Sequence, residues 1–217
     1  MDKHNIKSIS TVVKYISDEP VYIKTLNKQA KQFVVKLFPP IENIYNLLIN
    51  KVGIYSLTKR HEAELILSII NKNIETKNAT LLDATSGIGG FILNMYKYFK
   101  YIYGYEIDKT QYKILQHNCN IYKISNISLY NDNYTKYINR EFADVVIIDP
   151  PWGGIDYKTH TKLNLLLDEL TMEDLINHIE YKLLLLKLPS NHDLDIFQKY
   201  NHTIHKVNNY IIVAIKK

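Results

Sequence analysis

The sequence predicts an α/β fold: a mostly parallel seven-stranded sheet covered by helices, a C-terminal antiparallel hairpin, and a helical N-terminal extension. Three observations predict it. From Leu81 onward, short apolar runs alternate with helix-like stretches, the rhythm of a parallel sheet with helices on both faces. The last two apolar runs are joined by Asn208-Asn209 alone, a turn dipeptide that cannot house a crossover helix and demands a hairpin. Ahead of Leu81 the apolar residues recur at helical rather than strand spacing.

Taken in order, residues 8–17 and 26–37 have helical periodicity, Pro39-Pro40 breaks the second run, and residues 62–70 form an amphipathic helix feeding the first strand. Strands are expected at 79–83, 101–106, 127–130, 144–149, 181–188, about 203–207, and 210–216. Helices fit between them at 89–98, 109–122, 134–139 and 171–178. With no repeat and no Ser/Gly linker in the chain, residues 1–60 are expected to pack on a core domain of residues 61–217 and wall a pocket. A parallel sheet closed by a hairpin is the shape expected of a class I, Rossmann-like, S-adenosylmethionine-dependent methyltransferase.

The composition narrows the possible partners. At 217 residues and 46% apolar content the chain can bury one sizeable core, and a monomer is expected. A net charge of +5 and a pI near 9.0 suit an acidic partner such as nucleic acid. Arginine occurs only at Arg60 and Arg140 among Ile-, Asn-, Tyr- and Lys-rich surroundings, so an A/T-rich coding sequence accounts for part of that basicity. No apolar run approaches the ~18 residues of a membrane span, and no signal peptide is visible. The lone Cys119 excludes an internal disulfide and a multi-cysteine zinc site, and suits a reducing compartment. His202-x-x-His205 has no third ligand, so no metal is expected.

Chemistry is concentrated at the strand ends. LLDATSGIGG sets Asp83 at the end of a buried strand, with Gly87, Gly89 and Gly90 in the following turn, where glycine lets the backbone approach a ligand. The pattern lacks the third glycine of a dinucleotide fingerprint. Glu106 ends the next strand, where an acid accepts from both ribose hydroxyls. Asp132, after the third strand, is positioned to accept from an adenine amino group. Three acids in succession suit a nucleoside carrying a cation rather than phosphates, which S-adenosylmethionine is.

Beyond the fourth strand stands Asp149-Pro150-Pro151-Trp152. An exocyclic amine on a base is a poor nucleophile because its lone pair is conjugated into the ring. Asp149 and the Pro150 carbonyl can accept its two N–H groups and free that lone pair. Trp152 offers a flat surface on which a base, especially a cationic one such as 7-methylguanine, can stack. Orientation then does much of the work, and no strong base is needed. Asn191 and His192 follow the fifth strand near the pocket mouth, where substrate contact and a surface role are equally open.

From about Phe38 to the C-terminus the chain resembles the trimethylguanosine synthases, which methylate the 2-amino group of a 7-methylguanosine RNA cap. The motifs that carry the resemblance are GIYSLTKR at 53–60, LLDATSGIGG at 81–90, YEID at 105–108, DPPWGGIDY at 149–157 and LPSN at 188–191. The resemblance implies that Trp152 stacks on the methylated guanine and Tyr157 reaches the cap phosphates. It also implies that Thr58 and Phe38 belong to a front segment closing over cofactor and base. Two positions depart from the pattern: Asp149 stands where the family usually has serine, and Ser190 where it usually has a phosphate-binding arginine. Lys158, Lys28 and Lys31 are the cations left to compensate, as point charges rather than bidentate forks. The expected partner is capped RNA, and the expected location is intracellular, cytoplasmic or nuclear, with the cytoplasm favoured for a viral protein. Two other readings stand beside this one: amino-methylation of guanine or adenine within structured RNA or DNA, suggested by Asp149, and an inactive RNA-binding subunit of a capping complex.

Overall fold

A computed structural model describes residues 8–139, 142–153 and 161–217. The front segment contains α1 (Ile9–Val12), β1 (Val21–Tyr22), α2 (Lys28–Val34), β2 (Leu48–Ile49), α3 (Lys51–Ser56) and α4 (Arg60–Asn71). There follow β3 (Thr80–Asp83), α5 (Ile92–Met95), β4 (Tyr101–Tyr105), α6 (Lys109–Ile121), β5 (Ile127–Tyr130) and β6 (Phe142–Ile148). The chain ends with β7 (Leu166–Leu167), β8 (Leu170–Thr171), α7 (Met172–His178), β9 (Glu180–Pro189), β10 (His202–Val207) and β11 (Tyr210–Lys216).

The main sheet has the order β10-β11-β9-β6-β3-β4-β5. Neighbours from β9 through β5 pair in parallel, and β11 pairs antiparallel with both β9 and β10. This is the class I methyltransferase sheet, with Asn208 at φ 54° in the hairpin turn.

Strand alternation explains how both faces are covered. Leu81, Val145, Ile147, Leu183 and Leu185 enter one apolar cluster, while Leu82, Val146, Ile148, Leu184 and Leu186 enter the other, as a side-chain period of two requires when a sheet is buried on both sides. The first cluster also takes in Val12, Ile23, Leu37 and Phe38, so the front segment shares the core of the sheet.

The strands fall close to the expected ranges, and the helices are less regular than expected. The helix expected over 89–98 shortens to α5; at its N-terminal side Gly89 holds φ 96°, outside the right-handed helical region. The helix expected over 134–139 is a 3₁₀ turn, Tyr134–Tyr137. There Lys136 and Tyr137 reach back to Asp132, and the Asn133 side chain accepts from the Thr135 amide. The front segment is not purely helical: β1 and β2 pair antiparallel, and the runs over 8–17 and 26–37 finish as 3₁₀ turns. Two-residue strands such as these, and the β7–β8 pair, are too short to generate an alternation signal. Among the described residues, no helix is long and apolar enough to cross a membrane.

Candidate active site

Chain order reverses across the β3–β6 pair: β4 and β5 continue on one side, and β9 on the other. Such a switch point opens a crevice at the carboxyl ends of the strands. A cleft of about 480 Å³ lies there, lined by Asp83, Gly87, Glu106, Asp132 and Asp149 from the sheet edge. The front segment closes it with Val52, Gly53, Ser56, Leu57 and Thr58.

The acids differ in their surroundings. Asp83 is 4% exposed, and burial, with added repulsion from Asp149 and Glu106, pushes its carboxyl up to about 7 against the opposing Thr85 amide and Lys187. Glu106 is also raised by burial. It accepts the Gly87 amide at 2.7 Å and the Asp108 amide at 2.8 Å, and the Ile107 amide also lowers it, which leaves acceptor capacity for a ligand hydroxyl. Gly87 is left-handed at φ 53°, the conformation that turns its amide onto Glu106. Asp132 is held by Lys136 at 2.6 Å, the Asn133 amide at 2.7 Å and the Tyr137 hydroxyl at 2.7 Å. Those donors keep it low, at about 2. Most of its accepting capacity is therefore spent within the protein.

Asp149 has a partner that the motif reading did not include. Lys187, 5% exposed, reaches Asp149 Oδ2 at 2.6 Å and Thr58 Oγ1 at 3.2 Å. Burial raises the Asp149 carboxyl, while the Lys187 ammonium and the Trp152 indole N–H pull it back down. The Asp149 amide donates to Thr85 Oγ1 at 2.9 Å, tying this turn to the one after β3. The sequence signal for Lys187 was a lysine inside LLLLKL, in phase with core-facing Leu183 and Leu185. A buried lysine at a strand end needs a counter-ion. Gln111 was also missed. It is 8% exposed, lines the cleft from the first turn of α6, and its Oε1 has no hydrogen-bond partner among the described residues.

Several expected site residues lie elsewhere. Phe38 is packed in the core at 1% exposure and is not on the cleft wall, where α3 with Leu57 and Thr58 supplies the front-segment lining. Gly89 faces Leu115 and Leu93. Gly90 takes the close approach instead: a Cβ there would lie 2.5 Å from Leu57 Cδ1 and 2.7 Å from the Thr58 carbonyl oxygen. Pro150 is buried. Trp152 sits just beyond cleft-lining Asp149 and Pro151 rather than on the cleft wall. Its ring packs against both core clusters, 6.1 Å from the Tyr210 ring and 5.9 Å from the Lys187 ammonium. Asn191 anchors the neighbouring chain, its carbonyl accepting the Leu163 amide at 3.0 Å. Lys28 and Lys31 lie on α2, away from the cleft wall. Tyr157 and Lys158 fall outside the described residues.

The donor set fits S-adenosylmethionine, the cofactor of this fold class. A buried acidic cleft suits its cationic centre and ammonium, the open acceptors on Glu106 suit ribose hydroxyls, and the orphaned Gln111 Oε1 calls for a ligand donor.

Solved structures share this sheet. The T. thermophilus 16S rRNA N2 G1207 methyltransferase, in complex with AdoMet and guanosine, aligns with a TM-score of 0.56 at 14% identity, over 71% of this chain and 42% of that one. The precorrin-6y C5,15-methyltransferase of Geobacter metallireducens aligns with a TM-score of 0.54 at 14% identity, over 74% and 91%. At that identity the likeness is one of fold. An uncharacterized protein of Acanthamoeba polyphaga mimivirus is 32% identical over 215 residues, 83% of this chain and 84% of the relative. An uncharacterized RNA methyltransferase of Lactiplantibacillus plantarum is 29% identical over 113 residues, 50% of this chain but 25% of that protein. The sequence profile described as RNA cap guanine-N2 methyltransferase matches residues 78–217, a span that runs from β3 to the C-terminus and includes Asp83, Glu106, Asp149 and Lys187. By that match, over more than half of its length, the chain belongs to the RNA cap guanine-N2 methyltransferase family.

Proposed function

We propose that the protein methylates the exocyclic 2-amino group of 7-methylguanosine in an RNA 5′ cap, the activity of a trimethylguanosine synthase. The observation that carries this reading is the Asp149-Pro150-Pro151-Trp152 turn, which leaves β6 where the cofactor cleft ends, with Asp149 on the cleft wall and Trp152 just outside it. S-adenosylmethionine supplies the electrophilic methyl group.

The chain's own residues orient the acceptor. Asp149 and the Pro150 carbonyl accept the two amine hydrogens, and a carboxylate that already meets Lys187 and Trp152 still has an acceptor direction to offer. The Lys187 ammonium favours the ionised form of that carboxyl against the upward push of burial and fixes its orientation. Stacking of the guanine on Trp152 contributes about 1–3 kcal/mol and holds the amine in line with the cleft.

Labelled S-adenosylmethionine incubated with two cap dinucleotides, with and without the 7-methyl group, tests this reading. Mass spectrometry should find N2-methylated product chiefly from the 7-methylated analogue. Equal labelling of both would overturn the role given to base charge. One observation favours a second reading, methylation of a neutral guanine or adenine within uncapped RNA. The Lys187 ammonium already lies near the Trp152 ring, so the advantage of stacking a second cation is reduced. Preference for a long uncapped RNA over both dinucleotides would select that reading.

A further inference from the structure

The net charge of +5 is not spread over the chain. Residues 1–60 hold ten lysines and arginines against four acids, a net of +6, whereas residues 61–217 hold seventeen against eighteen, a net of −1. A codon bias would enrich lysine throughout, so the segregation needs another cause.

Ion pairing takes up part of the charge in both halves, and in the front segment Lys51, Lys59 and Arg60 pair with Asp18, Glu62 and Glu64. Lys136, Lys162, Lys182, Lys187 and Lys199 each pair with a carboxylate. Lys24, Lys28 and Lys31 pair with none among the described residues. Contacts tie Lys24 and Lys31 to a surface formed by β1, α2, the turn at Ile44–Asn46 and α6, and Lys28 lies exposed one turn before Lys31 on α2. The Lys24 ammonium is 4.7 Å from the Tyr22 ring centre and donates to Asn46 Oδ1 at 3.3 Å. The Lys31 ammonium is 6.0 Å from the Tyr45 ring centre. The His117 ring stands 5.7 Å from Tyr22 and bonds the Asn46 carbonyl at 2.9 Å. Tyr22 and Tyr45 are 39% and 47% exposed, and Lys113, one turn before His117 on α6, adds a further exposed cation. Glu42 is the nearby acid in sequence, and it forms no ion pair among the described residues.

We propose that this surface, formed by Tyr22, Lys24, Lys28, Lys31, Tyr45 and His117, holds the RNA chain that follows the methylated nucleotide. The assignment rests on the RNA methyltransferase reading above and adds a second, sequence-independent contact to it. Unpaired ammonium groups supply the phosphate contacts, and exposed tyrosine rings between them supply faces on which bases stack. The surface is tethered to the active site: cleft-lining Val52 stands six positions beyond Asn46, at most about 20 Å of chain. A chemically uniform phosphate track also fits a fold whose cleft reads only one nucleotide.

The test uses the full chain and a labelled, uncapped, single-stranded 20-nucleotide RNA followed by fluorescence anisotropy across a salt series. A Lys24→Gln/Lys28→Gln/Lys31→Gln variant should bind at least about tenfold more weakly at 50 mM salt. Its log–log salt slope should fall by about 2, since each phosphate contact to a single strand contributes about 0.7. A Tyr45→Ala variant should weaken binding with little change in slope. A control carrying Lys72→Gln/Lys77→Gln/Lys100→Gln should match the wild type, and all variants should keep the wild-type melting temperature. Wild-type affinity and slope in the triple variant, or an equal loss in the control, would overturn the proposal. Binding of the wild type to anionic lipid vesicles but not to RNA would overturn it as well. Failure to methylate a cap dinucleotide, with the RNA-binding loss intact, would instead remove the cap reading and leave this surface standing.

Discussion

Replacement of Asp83 by asparagine separates the electrostatic cost of the cofactor cleft from its use. Burial raises the Asp83 carboxyl from 3.8 to about 7, so the folded protein holds this proton more tightly than the unfolded chain. Stability linked to Asp83 is then highest below about pH 4, falls as pH rises through the interval to about 7, and levels off above it. At about 1.4 kcal/mol per pH unit, the free protein carries a penalty of about 4 kcal/mol above pH 7. The asparagine side chain keeps an acceptor for the Thr85 amide without the charge, so the Asp83→Asn variant should match the wild type near pH 4 and exceed its stability by up to about 4 kcal/mol at pH 8. With a urea dependence near 2 kcal/mol/M, the midpoint moves by roughly 2 M, and the fluorescence of the single tryptophan reports it. The cofactor's positive charge should in turn draw Asp83 into its ionised form. Wild-type binding at pH 6 then releases a proton, and affinity rises with pH up to about 7. Calorimetry in buffers of different ionisation enthalpy counts that proton, and the variant should release fewer and bind more weakly. A stability difference between wild type and variant that is the same at pH 5 and pH 8 would refute the reasoning.

Three further outcomes follow from the site. Lys187→Met leaves Asp149 without its counter-ion; removal of one partner from a buried pair costs about 3–5 kcal/mol, reduced to roughly 2 kcal/mol because the Asp149 side chain is 25% exposed. Lys187 opposes the upward push of burial on the Asp149 carboxyl, and the ionised carboxylate is the stronger acceptor for an amine hydrogen. The acid limb of the pH–rate profile should therefore move to higher pH, and an unchanged limb would exclude the role given to Lys187. Trp152→Ala should abolish binding of the methylated base while cofactor affinity stays near wild type, with Trp152→Phe, which keeps a ring, retaining much of it; parallel loss of both ligands in equilibrium titrations would make Trp152 a packing residue. Gly90→Ala forces a methyl against Leu57 and the Thr58 carbonyl, so thermal unfolding should show about 1–3 kcal/mol of destabilisation together with weaker cofactor binding, because those residues line the cleft.

The amino-acid sequence by itself determined the sheet, its terminal hairpin and the acids at its strand ends, because these depend on local signals. An apolar run ended by Asp83 or Asp149, a glycine turn, and a two-residue Asn208-Asn209 connection each carry their geometry within a few residues. The front segment is legible only in part, since two-residue strands such as β1 and β2 are defined by their pairing rather than by any pattern of their own. Phe38 and Gly89 show the same limit: a motif names a neighbourhood, and side-chain direction within it follows from which elements pack alongside. The Asp149–Lys187 pair belongs wholly to tertiary structure. Parallel pairing of β6 with β9 sets Ile147 opposite Leu185 and Ile148 opposite Leu186, and that register carries on to bring Lys187 abreast of Asp149, thirty-eight positions apart in the chain. Only the choice of sheet neighbour and register decides that a lysine in a leucine run becomes the counter-ion of the active site, since neither leaves a mark at either residue alone.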